Sequence, residues 1–139
     1  MRLVLDTNVV LSGLLWNGPP ALLIDAAIRL AVTICVNPFL ADELAEKLKM
    51  AKFALRIAAA GRTPALSGEY LALCEQFPAL VIPRTCRDAD DDNVLAAALS
   101  ARADLIISGD NDLRSLRIYE GVTIVNVVQA LALLDQAGK

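Results

Sequence analysis

Residues 103–113 read Ala103-Asp104-Leu105-Ile106-Ile107-Ser108-Gly109-Asp110-Asn111-Asp112-Leu113, a short apolar run that breaks into a polar, acid-rich turn. Leu105–Ser108 fits a fully buried β-strand: brief, branched, without polar alternation, and closed by glycine. Just upstream, Asp88, Asp90, Asp91 and Asp92 run into Asn93-Val94-Leu95-Ala96-Ala97-Ala98. Acids there suit the first turn of a helix, which the spacing predicts at about Asp92–Ala101. A helix feeding a buried strand is the unit of an α/β fold with a parallel sheet.

The same alternation extends outward. Leu3–Leu5 predicts a strand ending at Asp6, and Val32–Val36 a second. Pro19-Pro20 starts a helix through about Arg29, and Asn37-Pro38 supplies a cap and a first-turn proline for another through roughly Lys49. Helical composition continues over Ala51–Ala60 and again over Pro64–Gln76. Leu80–Ile82 predicts a brief strand. A short helical turn follows Gly109-Asp110, then a strand at Val122–Val125 and a last helix from Asn126 to about Ala137. With 139 residues, one domain spanning 1–139 is expected, and its core is large enough to fold without disulfides.

Composition removes whole classes of chemistry. The chain has no histidine and three cysteines without CxxC spacing, which excludes His-dependent triads and the usual zinc sites. No apolar stretch reaches the length of a membrane span, and no secretory leader is evident, so a cytoplasmic protein is expected. The net charge of −3 is modest because the charges segregate: Lys47, Lys49, Lys52, Arg56 and Arg62 form a basic stretch, and residues 88–92 an acidic one. Lys49, Lys52 and Arg56 fall at i, i+3 and i+7 of a continuous helix, a face suited to RNA. Trp16 is expected in the core.

Ligands of open α/β sheets bind beyond the carboxyl ends of the strands. Asp6, the Asn37-Pro38 helix start and the Gly109–Asp112 turn all follow strands directly. Acids from separate segments would therefore converge, with no matching cations nearby in sequence. Such a cluster is unfavourable unless a cation fills it, and oxygen donors alone select Mg²⁺ or Mn²⁺. A carboxylate-held divalent ion equips a protein for phosphodiester hydrolysis.

Four segments, in order, resemble a known family. Leu5-Asp6-Thr7-Asn8-Val9 with Ser12-Gly13-Leu14-Leu15 looks like the start of a PIN domain, and Asn37-Pro38-Phe39-Leu40-Ala41-Asp42-Glu43-Leu44 is similar to its second motif. Arg87–Ala98 and Ala103–Leu113 resemble the third and fourth. The resemblance is strongest to the VapC-like toxins of toxin–antitoxin pairs. It implies a three-layer α/β/α sandwich around a mainly parallel, twisted sheet of about five strands, and a Mg²⁺- or Mn²⁺-dependent endoribonuclease that leaves a 5′-phosphate and a 3′-hydroxyl. By motif position Asp6, Glu43, Asp92 and Asp110 would be catalytic metal-site acids, Asp112 a further ligand, and Asn8 and Ser108 supporting polar residues. Helical periodicity does not separate Asp91 from Asp92; the spacing to Leu95-Ala96-Ala97 favours Asp92. The partners implied are an RNA substrate, a small antitoxin protein and a second copy in a homodimer. The alternative is a catalytically weak PIN-fold module acting through a protein partner. An aspartyl-phosphate mechanism is disfavoured because Asn8 stands where a second aspartate would be needed.

Overall fold

The computed structural model describes residues 1–59 and 66–137. In chain order the elements are β1 (Arg2–Leu5), α1 (Thr7–Leu15), α2 (Pro19–Ile28), β2 (Thr33–Val36), α3 (Pro38–Leu48), α4 (Ala51–Ala59), α5 (Leu66–Leu73) and β3 (Glu75–Gln76). Then follow α6 (Ala89–Ala101), β4 (Leu105–Ile107), α7 (Asn111–Leu116), β5 (Ile118–Tyr119), β6 (Val122–Val125) and α8 (Val127–Ala137). The sheet has six strands in the order β3-β2-β1-β4-β6-β5. Every pairing is parallel except β5 with β6.

The strands are apolar at every position that meets a helix layer, because both faces of the sheet are covered. Leu3, Leu5, Ile34, Val36, Leu105 and Ile107 point into one core, shared with Val9, Val10, Leu23, Ile24, Leu66 and Ala130 from α1, α2, α5 and α8. Val4, Cys35, Ile106 and Ile124 alternate with them and face the other core, under Val94, Leu95, Ala97, Ala98 and Leu113 of α6 and α7. Side chains two apart share a face of a strand, so β1, β2, β4 and β6 each feed both cores. The alanines of α6 let it lie close to the sheet. On the opposite side α1 and α2 approach closely at Gly13, where an added Cβ would meet Ile24 Cδ1 at 2.7 Å and the Pro20 carbonyl oxygen at 2.9 Å.

Several expectations need correction. Leu80–Ile82 is not a strand; Val81 is exposed, and the edge is instead closed by two-residue β3 beside β2. The sheet gains a further strand because Tyr119 and Val122 are joined by a tight turn at Glu120 and Gly121, both at positive φ (47° and 83°), the geometry of a two-residue hairpin. Helix α1 occupies residues for which no element was expected. The α5 helix starts at Leu66 among the described residues; the expected start at Pro64, like Arg62, lies outside them. Lys49 caps α3 while Lys52 and Arg56 belong to α4, so the three do not form one helical face. No single helix among the described residues is long and apolar enough to cross a membrane.

Candidate active site

The carboxyl ends of β1, β2 and β4 deliver Asp6, Asn37 and Ser108 to one edge of the sheet. Register places the first and third together: the Asp6 amide donates to the Ile107 carbonyl at 2.9 Å, continuing the β1–β4 ladder by one residue. Ser108, fully buried, donates its hydroxyl to Asp6 Oδ2 at 2.7 Å and accepts the Asp110 amide at 2.9 Å. Asp110 then caps α7, its Oδ1 accepting the amides of Asp112 (2.8 Å) and Leu113 (3.1 Å). A continuous relay of hydrogen bonds thus fixes Asp6 against Asp110 across two strands.

Helix α6 brings the acidic run to the same place. Asp88 is its N-cap, accepting the Asp90 amide at 2.9 Å, and Asp90, Asp91 and Asp92 fill the first turn. Asp91, Asp110 and Asp112 each offer a carboxylate oxygen, and these atoms all lie within 4.8 Å of one another. Burial, with the negative charges of Asp110, Asp6, Asp88 and Asp112, pushes the Asp91 carboxyl up to about 6. A carboxylate so disfavoured is the mark of charges gathered faster than the protein neutralises them. Oxygen donors alone suit a hard divalent ion. The nearby Cys86 thiol is pushed up to about 12, first by burial and then by a hydrogen bond with Asp92, so no thiolate competes for that role.

Asp92, favoured over Asp91 by spacing, is not in this group. Its carboxylate turns the other way and accepts the amides of Cys86 (2.8 Å) and Thr85 (3.2 Å), while the Arg84 guanidinium lies 3.2 Å from Oδ2. At 6% exposure it is a buried anion answered by backbone donors and one cation. It pins the loop before α6. Asp91 precedes it by about 100° on the helix, enough to put the two on different neighbours.

The expectation of no matching cations nearby is also corrected: Lys47 answers Glu43 from four residues away, and Arg87 reaches Asp112 from 25 residues away. Glu43, half-buried on α3, has the Lys47 ammonium 3.8 Å from its Oε1, and the same ammonium donates to Asn8 Oδ1 at 3.3 Å. Arg87 donates to Asp112 Oδ1 at 2.8 Å, and that guanidinium holds the Asp112 carboxyl below its ordinary value. Asn8 is therefore tied to Lys47 rather than to an acid. Ser108 does hold one.

The basic residues at the end of α3 and on α4 do other work. Lys49 makes an exposed pair with Glu46 at 3.7 Å, and the Lys52 ammonium sits over the Phe53 ring. Arg56 donates to the Leu15 carbonyl at 2.6 Å and stacks on Trp16, which is 45% exposed rather than in the core. Both border a cleft of about 640 Å³ between α1, α2, α4 and α5, lined also by Ile24, Asp25 and Tyr70.

The sequence pattern of the PIN domain matches residues 2–112. The chain belongs to the PIN domain family. That span runs from the first strand through the whole acidic edge, and the three-layer sandwich with its mostly parallel sheet is the PIN fold. The uncharacterized protein MJ1680 of Methanocaldococcus jannaschii is 29% identical over 122 residues, covering 84% of this chain and 76% of that one. In structure the chain is similar to VapBC2 from Rickettsia felis, solved bound to a DNA fragment from their promoter, with a TM-score of 0.57 at 15% identity over 91% of this chain and 98% of that one. It also aligns with the PIN domain endonuclease Utp24 at a TM-score of 0.49 and 15% identity, over 90% and 84% of the two chains. At 15% identity the likeness to the VapBC2 structure speaks for the fold alone.

Proposed function

We propose that this PIN domain, acting as one domain over residues 1–139, is a divalent-metal-dependent endoribonuclease of the VapC-like kind. The observation that carries the reading is the group of Asp91, Asp110 and Asp112 oxygens within 4.8 Å of one another, with Asp6 tied to Asp110 through Ser108. Asp91 takes the place in the site first given to Asp92; Asp6, Asp110 and Asp112 complete the ligand set, and Glu43 stands at the rim beside Lys47. The donor set fits Mg²⁺ or Mn²⁺. Such an ion, when bound, supplies an electrophile for a phosphate and an acidified water.

The chain's own residues prepare the site. Ser108 presents its hydroxyl to one oxygen of Asp6 and so fixes the rotamer of that carboxylate. Asp110 uses Oδ1 for the α7 cap, leaving Oδ2 for a ligand. Asp92 holds residues 84–86 in place and with them the neighbouring Arg87. With no histidine and no accessible thiolate, a direct attack by water, leaving a 5′-phosphate and a 3′-hydroxyl, is the route these groups support. A toxin role, with a small antitoxin protein as partner, a homodimer and a cytoplasmic location, belongs to the same proposal; the likeness in fold to a VapBC protein supports it.

The test is cleavage of single-stranded and structured RNAs with Mg²⁺ or Mn²⁺ against EDTA, by wild type, Asp91→Asn and Asp92→Asn. Metal-dependent cleavage lost in Asp91→Asn and retained in Asp92→Asn supports the reading. The interaction-module alternative draws on the internal ion pairs of Glu43 and Asp112. It prevails if the ion neither raises the melting temperature nor elicits cleavage.

A further inference from the structure

Among the described residues of the basic stretch, Lys47 is the cation that reaches toward the acidic edge, through Asn8. It lies one helical turn beyond Glu43 on α3, and its side chain is 29% exposed. Its ammonium, 3.8 Å from Glu43, reaches across to α1 and donates to Asn8 Oδ1 at 3.3 Å. Asn8 is two residues beyond Asp6, the first acid of the site. A lysine serving only to answer Glu43 would need no second element; this one is anchored between two helices, with its rotamers restricted before any ligand arrives. An ammonium carries three donors; the bond to Asn8 uses one, and Glu43 at 3.8 Å is an ion pair beyond hydrogen-bond distance.

The site's electrostatics give that position a task. Asp6, Asp91, Asp110 and Asp112 stand at this edge, Glu43 is linked to it through Lys47 and Asn8, and Asp88 and Asp90 extend the negative charge along the first turn of α6. A polyanion entering such a site meets net repulsion that one divalent ion does not cancel. A fixed positive charge at the mouth offsets it and takes a phosphate oxygen, as lysine does in many phosphate sites. Lys49 is paired outward with Glu46 and Lys52 rests on Phe53, so neither fills this role in the structure. Resting on the ribonuclease reading above, we infer that Lys47 is a substrate-contacting residue: held by Asn8 and Glu43, it binds a backbone phosphate of the RNA beside the acidic site.

The experiment follows steady-state cleavage of a labelled, unstructured RNA oligonucleotide in Mn²⁺, for wild type, Lys47→Met, Lys47→Gln and Lys47→Arg. Methionine keeps the aliphatic stem, and glutamine keeps a donor for Asn8 without the charge. The contact is made in the ground state, so KM is expected to rise about 10-fold in both uncharged variants with kcat within about 2-fold. The slope of log KM against log salt is expected to fall by about 0.7, one phosphate's worth for a single strand. Lys47→Arg restores KM, and the rise in Tm on adding Mn²⁺ is the same in all four proteins. Unchanged KM and salt slope in both uncharged variants, in a wild type that cleaves, overturn this inference alone. An enlarged Mn²⁺ shift without a change in KM also overturns it, making Lys47 a stand-in for the ion. A wild type that neither binds nor cleaves RNA with Mn²⁺ removes the ribonuclease reading and this inference together.

Discussion

Replacing Asp91 by asparagine removes one charge from the most crowded part of the acidic edge while keeping size and shape. In the folded protein the Asp91 carboxyl is pushed from 3.8 up to about 6, first by burial and then by Asp110, Asp6, Asp88 and Asp112. A rise of about 2 units is worth ~3 kcal/mol at ~1.36 kcal/mol per unit. The group is partly open to solvent, and screening cuts this to about 1.5 kcal/mol. The lost interaction of a carboxylate with the helix N-terminus takes back about 0.5 kcal/mol. Asp91→Asn should therefore be more stable than wild type by about 1 kcal/mol at pH 7.5 in EDTA, roughly 3–5 °C in Tm for a domain of this size. Because the folded pKa is raised, wild type keeps its full stability below about pH 4 and loses it as pH climbs through about 6. The variant's advantage must accordingly be absent near pH 4 and complete by about pH 7. Saturating Mn²⁺ should reverse the order, since an ion at 100 times its Kd adds ~2.7 kcal/mol to the protein that binds it. The assay is a set of thermal melts from pH 4 to 8, with EDTA and with Mn²⁺. An asparagine variant that melts below wild type in EDTA at pH 7.5, or a gap that does not grow with pH, would refute the claim that Asp91 is strained by its neighbours.

Three further outcomes follow from other contacts. Asp92→Ala strips two amides and the Arg84 guanidinium of their acceptor and should cost about 2–4 kcal/mol in chemical denaturation, with the Mn²⁺-induced rise in Tm preserved; loss of that rise would return Asp92 to the metal site. Ser108→Ala leaves Asp6 Oδ2 and the Asp110 amide without their partner, so apparent Mn²⁺ affinity, read by titration of Tm, should fall about 10- to 100-fold; an unchanged titration would show that the hydroxyl does not orient Asp6. Gly13→Ala forces a Cβ to within 2.9 Å of the Pro20 carbonyl oxygen, and a loss of about 1–3 kcal/mol in urea unfolding is expected because backbone cannot yield as a side-chain tip can; a neutral result would mean that α2 shifts freely.

Strand-to-helix alternation was legible because each long strand is apolar on both faces and each main helix carries its own start signal. Asn37 is one such signal, and its side chain accepts the Leu40 amide at 2.9 Å as its place before Pro38 predicts. The edges were not legible. Glu75–Gln76 carries no apolar pattern, and its strand exists because β2 offers a free edge, with Phe77 donating to the Val36 carbonyl at 2.9 Å just beyond. Leu80–Ile82 has the composition of a strand but no neighbour to pair with. Helix α1 carries no such start signal: Asp6 stands at its N-cap, but its carboxylate goes to Ser108, 102 residues away, instead of to the helix. The cations behave alike: Lys47 on Asn8 and Arg87 on Asp112 are long-range pairs that no local window contains.

The choice between Asp91 and Asp92 turns on what the rest of the chain offers each of them. Both occupy the first turn of α6, and the helix dipole favours both. The loop at Thr85 and Cys86 turns its amides toward Asp92, and Arg84 adds a full charge, so that carboxylate is answered within the chain. Asp6 has a hydroxyl, Asp110 two amides and Asp112 a guanidinium. Asp91 receives burial and four like charges, and among the described residues no donor offsets them. Burial, and then the repulsion spread over the acidic edge, therefore fall together on one carboxylate. A divalent ion that relieves it acts where the protein has supplied nothing of its own, which is why Asp91 rather than Asp92 should set both the metal affinity and the pH dependence of stability.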